Sequence, residues 1–171
     1  MTDRPKRAPA LAELTALELR EGGYDTAVLP VGATEFHGDH LPFSTDTIAA
    51  DALAHRSAWE IGTAVVLPPM SYGMSLHMLN WPWSLSLRPE TLTNVIIDIG
   101  ESLWKNDLTR LLVVTAHDGN PPCAELAARE LNDRHGMGSL FLVAGREWPC
   151  GCWPEPNSKA MRITVAARKC R

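Results

Sequence analysis

Four short apolar runs recur along the chain, at 26–31 (TAVLPV), 63–67 (TAVVL), 108–115 (with LLVVT at its end) and 139–144 (SLFLVA). Each is apolar on consecutive residues rather than on alternate ones, the pattern of a strand covered on both faces. Between successive runs lie stretches long enough, and suitably composed, to form helices. Strands alternating with helices build βαβ units, so the sequence predicts an α/β fold with a mainly parallel sheet and helices on both sides. At 171 residues one domain accommodates all of it.

The spacing of Leu11, Leu14, Leu17 and Leu19 predicts a short amphipathic helix over 11–19 ahead of the first strand. Pro30 and Gly32 close that strand. The segment 46–59 (DTIAADALAHRSAW) is rich in helix formers and opens on Asp46, whose side chain is placed to cap free amides, giving a first crossover helix. Pro68 and Pro69 stop the second strand, and the chain is irregular through Trp83, with 84–87 briefly extended. A helix then runs from Arg88-Pro89-Glu90-Thr91 to about Lys105, with Leu92, Val95, Ile96, Ile99 and Leu103 on one face. The loop Ala116-His117-Asp118-Gly119-Asn120 follows the third strand and leads through Pro121-Pro122 into a helix over 124–135.

The net charge of -4, without a dense Lys/Arg stripe, argues against a nucleic-acid partner. No apolar run reaches bilayer length and the first residues lack the apolar core of a signal peptide, so the expectation is no membrane association and a cytoplasmic location. The cysteines at 123, 150, 152 and 170 make a poor disulfide framework, and reduced thiols are expected. Cys150-x-Cys152 with distant Cys170 lacks the usual spacing of a thiolate zinc site.

Metal-capable side chains are densest between Gly32 and Asp46, directly after the first strand, where Glu35, His37, Asp39, His40 and Asp46 all occur. His117 directly follows the third strand. Loops leaving the carboxyl ends of parallel strands share one crevice, so these distant residues can meet. A set of two carboxylates and two imidazoles suits zinc or another divalent transition metal better than calcium. His40 reads more simply as a solvated loop residue. His77, near Trp81 and Trp83, is a candidate substrate contact. Gly119 and Asn120 read as shaping the turn beneath His117.

The segment GATEFHGDHLPFSTDT resembles the Glu-His-Asp signature of the creatininase family. Ser71-Tyr72-Gly73 through Ser86-Leu87-Arg88-Pro89-Glu90-Thr91-Leu92 is similar to that family's middle region, and Thr115-Ala116-His117-Asp118-Gly119-Asn120 to its Gly-His-Gly-Gly-Asn loop. The resemblance covers about 24–144. It implies a three-layer αβα sandwich, hydrolysis of amide or cyclic amide bonds by metal-activated water, and assembly into homo-oligomers, commonly hexamers. It places Glu35, His37, Asp46 and His117 on the family's metal positions, with Asp46 as the bridge where two metals bind. Asp118 departs from the family's usual Gly. Gly119 stands where creatininase itself offers a further carboxylate ligand, which argues against creatinine as substrate.

A downstream His-Ala-Gly-x-x-Glu type of segment, usual in the family, does not occur in this sequence, and composition changes abruptly over 145–171. The expectation is therefore a shortened family member, with a creatininase-like domain over 1–144 and an atypical, poorly ordered tail. The function expected is a metal-dependent amidohydrolase for a small cyclic amide or related C–N bond, its turnover reduced or abolished by the shortened end, with zinc as cofactor and manganese or iron as alternatives. No catalytic side chain beyond the ligands is assigned. The competing reading is a non-catalytic metal-binding or subunit-interaction protein of the same fold. A redox thiol protein is a third.

Overall fold

The computed structural model describes residues 8–144, so the expectations placed on 145–171, including those on Cys150, Cys152 and Cys170, lie outside the described residues. Four strands, β1 (Thr26–Val31), β2 (Ala64–Val66), β3 (Arg110–Thr115) and β4 (Gly138–Val143), form one sheet in the order β2-β1-β3-β4. All three pairings are parallel. Parallel neighbours need crossovers, and these are α2 (Thr45–Ile61), α3 (Pro89–Trp104) and α4 (Pro121–His135), which follow the small α1 (Ala16–Glu21).

The period of two along each strand divides the apolar residues between two cores. Ala27, Leu29, Val31, Leu111 and Val113 face one way and pack with Leu92 and Ile96 of α3 and Ala124 and Leu131 of α4. Val28, Leu112 and Val114 face the other way, with Val66, against Ala54 and Ala58 of α2. The result is the three-layer αβα arrangement expected from the doubly apolar runs.

Several boundaries differ from the sequence expectation. The helix expected over 11–19 is a 3-10 turn, Leu11–Glu13, followed by the separate α1. Thr15 causes the break, because its hydroxyl accepts from the Glu18 amide at 3.3 Å while Glu18 returns a carboxylate to the Thr15 amide at 2.8 Å. This reciprocal cap starts a new helix. β1, by contrast, keeps its expected bounds, Thr26–Val31, with Pro30 inside it. Its pairing with β2 ends at Val28, so the amide that Pro30 lacks falls where β2 has already stopped. Pro30 still accepts from Met70 N at 2.9 Å.

Helix α4 begins at Pro121, three residues before the expected start, since prolines cost no hydrogen bond in a first turn. The expectation of an N-cap at Asp46 is corrected. α2 starts at Thr45 with Ser44 as N-cap and no side-chain cap bond, and the Asp46 carboxylate is turned elsewhere.

Candidate metal centre

β1 and β3 are adjacent and parallel, so the segments leaving their carboxyl ends emerge side by side. Beyond Val31 the chain passes hard against the start of α2, where a Cβ on Gly32 would overlap the Thr47 backbone. Thr34 then bridges to Leu85, Glu35 N donates to Phe43 O at 3.1 Å, and Thr47 Oγ1 donates to Ala33 O at 3.3 Å. This fold-back brings Glu35, His37 and Asp46 to one spot although up to eleven positions separate them. His117, two residues beyond β3, joins them.

The hydrogen bonds fix the orientation of both imidazoles. His37 Nδ1 lies 3.1 Å from the Glu35 carbonyl oxygen, which can only accept, so Nδ1 carries the proton. Its Nε2 faces Asp46 Oδ1, 3.0 Å away. His117 has the reverse tautomer: Nε2–H donates to the Met74 carbonyl at 3.0 Å, with the Ser75 hydroxyl at 3.1 Å from the same nitrogen. Its Nδ1 faces Asp46 Oδ2 at 3.0 Å and Glu35 Oε1 at 3.4 Å. Each histidine thus commits its outer nitrogen to a backbone carbonyl and aims its inner one at carboxylate.

Each inner nitrogen approaches its carboxylate closely enough to share a proton or a metal cation with it. Glu35 Oε2 is buried without any hydrogen-bond donor, an arrangement that costs about 1–3 kcal/mol and more when the group is charged, and Asp46 Oδ2 is buried with only His117 Nδ1 facing it. Metal-ligating histidines are held in this manner, with the second nitrogen donating to a carbonyl. The residues therefore fit a divalent metal. The same field acts on the His117 side chain, only 3% exposed. Burial is the largest single influence on it and lowers its pKa, but the Asp46 carboxylate, the Met74 carbonyl and the charge of Glu35 together outweigh that and raise it above the usual histidine value.

The four donors open onto a cavity of about 400 Å³, lined also by His77, Ala116, Asp118 and Ala144. His77 is exposed, and its ring stacks nearly parallel on His117 with centroids 5.6 Å apart. Asp39 and His40 are exposed and belong to neither donor cluster among the described residues. A larger, mainly apolar groove of about 830 Å³ beside α3, lined by Tyr24, Met70 and Leu103 among others, shares no residue with the donor cavity.

Sequence reasoning missed Ser75 and the Met74 carbonyl, because a backbone acceptor has no signature and the stretch has no periodicity. It read Asn120 as a turn-shaping residue, and the structure agrees. Asn120 Oδ1 accepts from Met74 N at 2.9 Å, and Nδ2 donates to Gly32 O, Thr115 Oγ1 and Val31 O at 3.0, 3.1 and 3.3 Å.

The family model for creatininase, described as creatinine amidohydrolase, matches residues 12–168. The chain belongs to the creatininase family. The match is wider than the 24–144 stretch on which the sequence resemblance rests. This creatininase-family chain is 37% identical over 98 residues to the mycofactocin precursor peptide peptidase of Mycolicibacterium smegmatis, which covers 54% of the chain and 39% of that protein. It is 34% identical over 113 residues to the creatinine amidohydrolase of Pseudomonas putida, covering 61% of the chain and 43% of the relative. A solved structure of creatinine amidohydrolase (creatininase) matches with a TM-score of 0.69 at 31% identity, over 80% of this chain and 57% of that one. The chain spans about half the length of the curated relatives it matches. The structural match agrees with the α/β fold expected from the apolar runs.

Proposed function

We propose that this creatininase-family chain hydrolyses an amide-type C–N bond using a divalent metal held by Glu35, His37, Asp46 and His117. The observation that carries this reading is Asp46, whose two oxygens each lie 3.0 Å from the inner nitrogen of a different imidazole. A carboxylate so divided suits a bridge between two cations, the role the family resemblance implies for it. When bound, such a cation makes water nucleophilic at neutral pH and draws charge from a carbonyl oxygen. Glu35 and Asp46 supply the negative charge that holds it. The Glu35 and Met74 carbonyls keep both histidines in the ligating tautomer, and the cavity at about 400 Å³ has the size of a small-molecule pocket.

Zinc is the cofactor proposed, with manganese or iron as alternatives. Solved relatives include a creatininase with Mn and a mutant creatininase of Zn-Zn type, 30% identical to this chain. The substrate proposed is a small cyclic amide other than creatinine, since Gly119 offers no side chain where creatininase has a carboxylate. Assembly into a homo-oligomer is part of the same reading. Exposed Leu76, Leu79 and Trp81 supply apolar surface for it to cover, and light scattering of the purified chain measures it directly.

The deciding experiment offers zinc- and manganese-loaded protein a panel of lactams, linear amides and short peptides, with Asp46→Ala as control. Turnover of a cyclic amide that disappears in Asp46→Ala is the expected result. Metal uptake without turnover of any member would instead support the non-catalytic metal-binding alternative.

A further inference from the structure

The donor set has a gap on one side. Position 119, where the family resemblance implies a further carboxylate in creatininase itself, is glycine here, and the structure leaves no room for anything larger. A Cβ on Gly119 would overlap the Met74 carbonyl oxygen and lie 2.6 Å from His117 Nε2. No side-chain donor can approach the centre from that position while Met74 stays where it is. The segment that fills the space leads directly into the 3-10 turn Leu76–Met78, and this turn carries His77.

His77 lines the same cavity as Glu35, His37, Asp46 and His117. One of its ring nitrogens, a carboxylate oxygen of Glu35 and a nitrogen of His117 all lie within 4.8 Å of one another. Its ring is held within 9° of parallel to that of His117. Among the described residues neither His77 nitrogen has a hydrogen-bond partner, so either can give a lone pair without breaking a bond. We infer that His77 is a metal ligand in this chain, supplying the donor that glycine at 119 removes. This assignment replaces the substrate contact expected for His77 from sequence, and it rests on the metal-centre reading above.

The substitution changes the chemistry of the centre as well as its geometry. Three imidazoles and two carboxylates carry one negative charge fewer than two imidazoles and three carboxylates, so a bound divalent ion keeps more of its positive charge. Nitrogen-rich sets favour zinc, and carboxylate-rich sets suit manganese. His77 is also the exposed member of the set, next to buried Glu35 and His117, and therefore the ligand on the solvent side of the centre.

The test uses cobalt(II) as a spectroscopic probe, titrated into metal-stripped full-length protein and into His77→Ala and His40→Ala. Wild type and His40→Ala should bind alike and give the same ligand-field bands. His77→Ala should bind cobalt at least about tenfold more weakly, the lower end of what losing even an outer partner of a ligand costs, with altered bands. Added imidazole should restore the wild-type bands in His77→Ala, which a misfolded variant would not show. If His77→Ala titrates and absorbs as wild type does, His77 is not a ligand, while the other four donors stand. If wild type itself takes up no cobalt, the metal-centre reading fails and this inference with it.

Discussion

Replacing Asn120 with alanine removes the side chain that ties the end of β1, the end of β3 and the 71–75 segment together beneath His117. Asn120 is fully buried. Its oxygen accepts one bond, at 2.9 Å from Met74 N, and its two amide hydrogens are shared among Gly32 O, Thr115 Oγ1 and Val31 O, so about three bonds are lost. At about 1 kcal/mol net for each, Asn120→Ala should cost about 3 kcal/mol. For a chain of this length that corresponds to a fall in Tm of about 6–12 °C. Asn120→Asp separates hydrogen bonding from packing. It keeps the volume and the acceptor for Met74 N but sets an oxygen against the Gly32 and Val31 carbonyls, so it should destabilise at least as much. Because Met74 O orients His117, both variants should also weaken metal binding by about ten- to hundredfold. Urea unfolding with a parallel zinc titration measures both effects. An Asn120→Asp protein within about 0.5 kcal/mol of wild type would refute the reasoning, since that is the range of an inconsequential surface change.

Trp83 has a left-handed backbone, φ 62°, and is 81% exposed, so its indole gains little from packing. Trp83→Gly relieves roughly 1–2 kcal/mol of strain against about 0.5–1 kcal/mol of added chain entropy, and calorimetry should show an unchanged or slightly higher Tm. A clear fall would mean that the indole is packed. Burial raises the pKa of the Cys123 thiol, the largest of the influences on it, so little thiolate exists near neutral pH. Peptide mapping after brief alkylation of the native protein should leave Cys123 unlabelled, and rapid labelling would contradict its burial. Asp25 accepts from Thr26 and Thr63 hydroxyls at 2.7 and 2.8 Å and pairs with Arg110, which together lower its pKa. A lowered carboxylate stabilises the fold above its unfolded pKa of about 3.9 and loses that contribution as pH falls through the lower folded value. Asp25→Asn should therefore lower Tm at pH 7 and flatten its decline in acid, while an identical acid limb would count against the link.

The fold was legible because a parallel sheet covered on both faces writes itself as consecutive apolar residues. The run 26–31 matches β1 residue for residue, and the others lie within about two residues of their strands. Helix starts were less legible, since Thr15 could begin a new helix or lie within one, and only its reciprocal bond with Glu18 decides. Two adjacent strands narrow the candidates to one crevice, and the family resemblance picks Glu35, His37, Asp46 and His117 among them. The outward role of Asp46 could not be told from capping, as a carboxylate at a helix start has the same local sequence either way. The holding groups, the Met74 carbonyl and Ser75, lie in an aperiodic stretch, so only the folded chain shows that they orient His117.

Metal content measured after stripping with chelator and reloading with zinc, in wild type, His37→Ala and His117→Ala, tests the central claim most directly. Removing one of about four ligands leaves an incomplete shell. Wild type should therefore return to stoichiometric zinc, and each variant should lose most of it. Full zinc occupancy in both variants would contradict the account, because the two imidazoles aimed at Asp46 would then hold no metal.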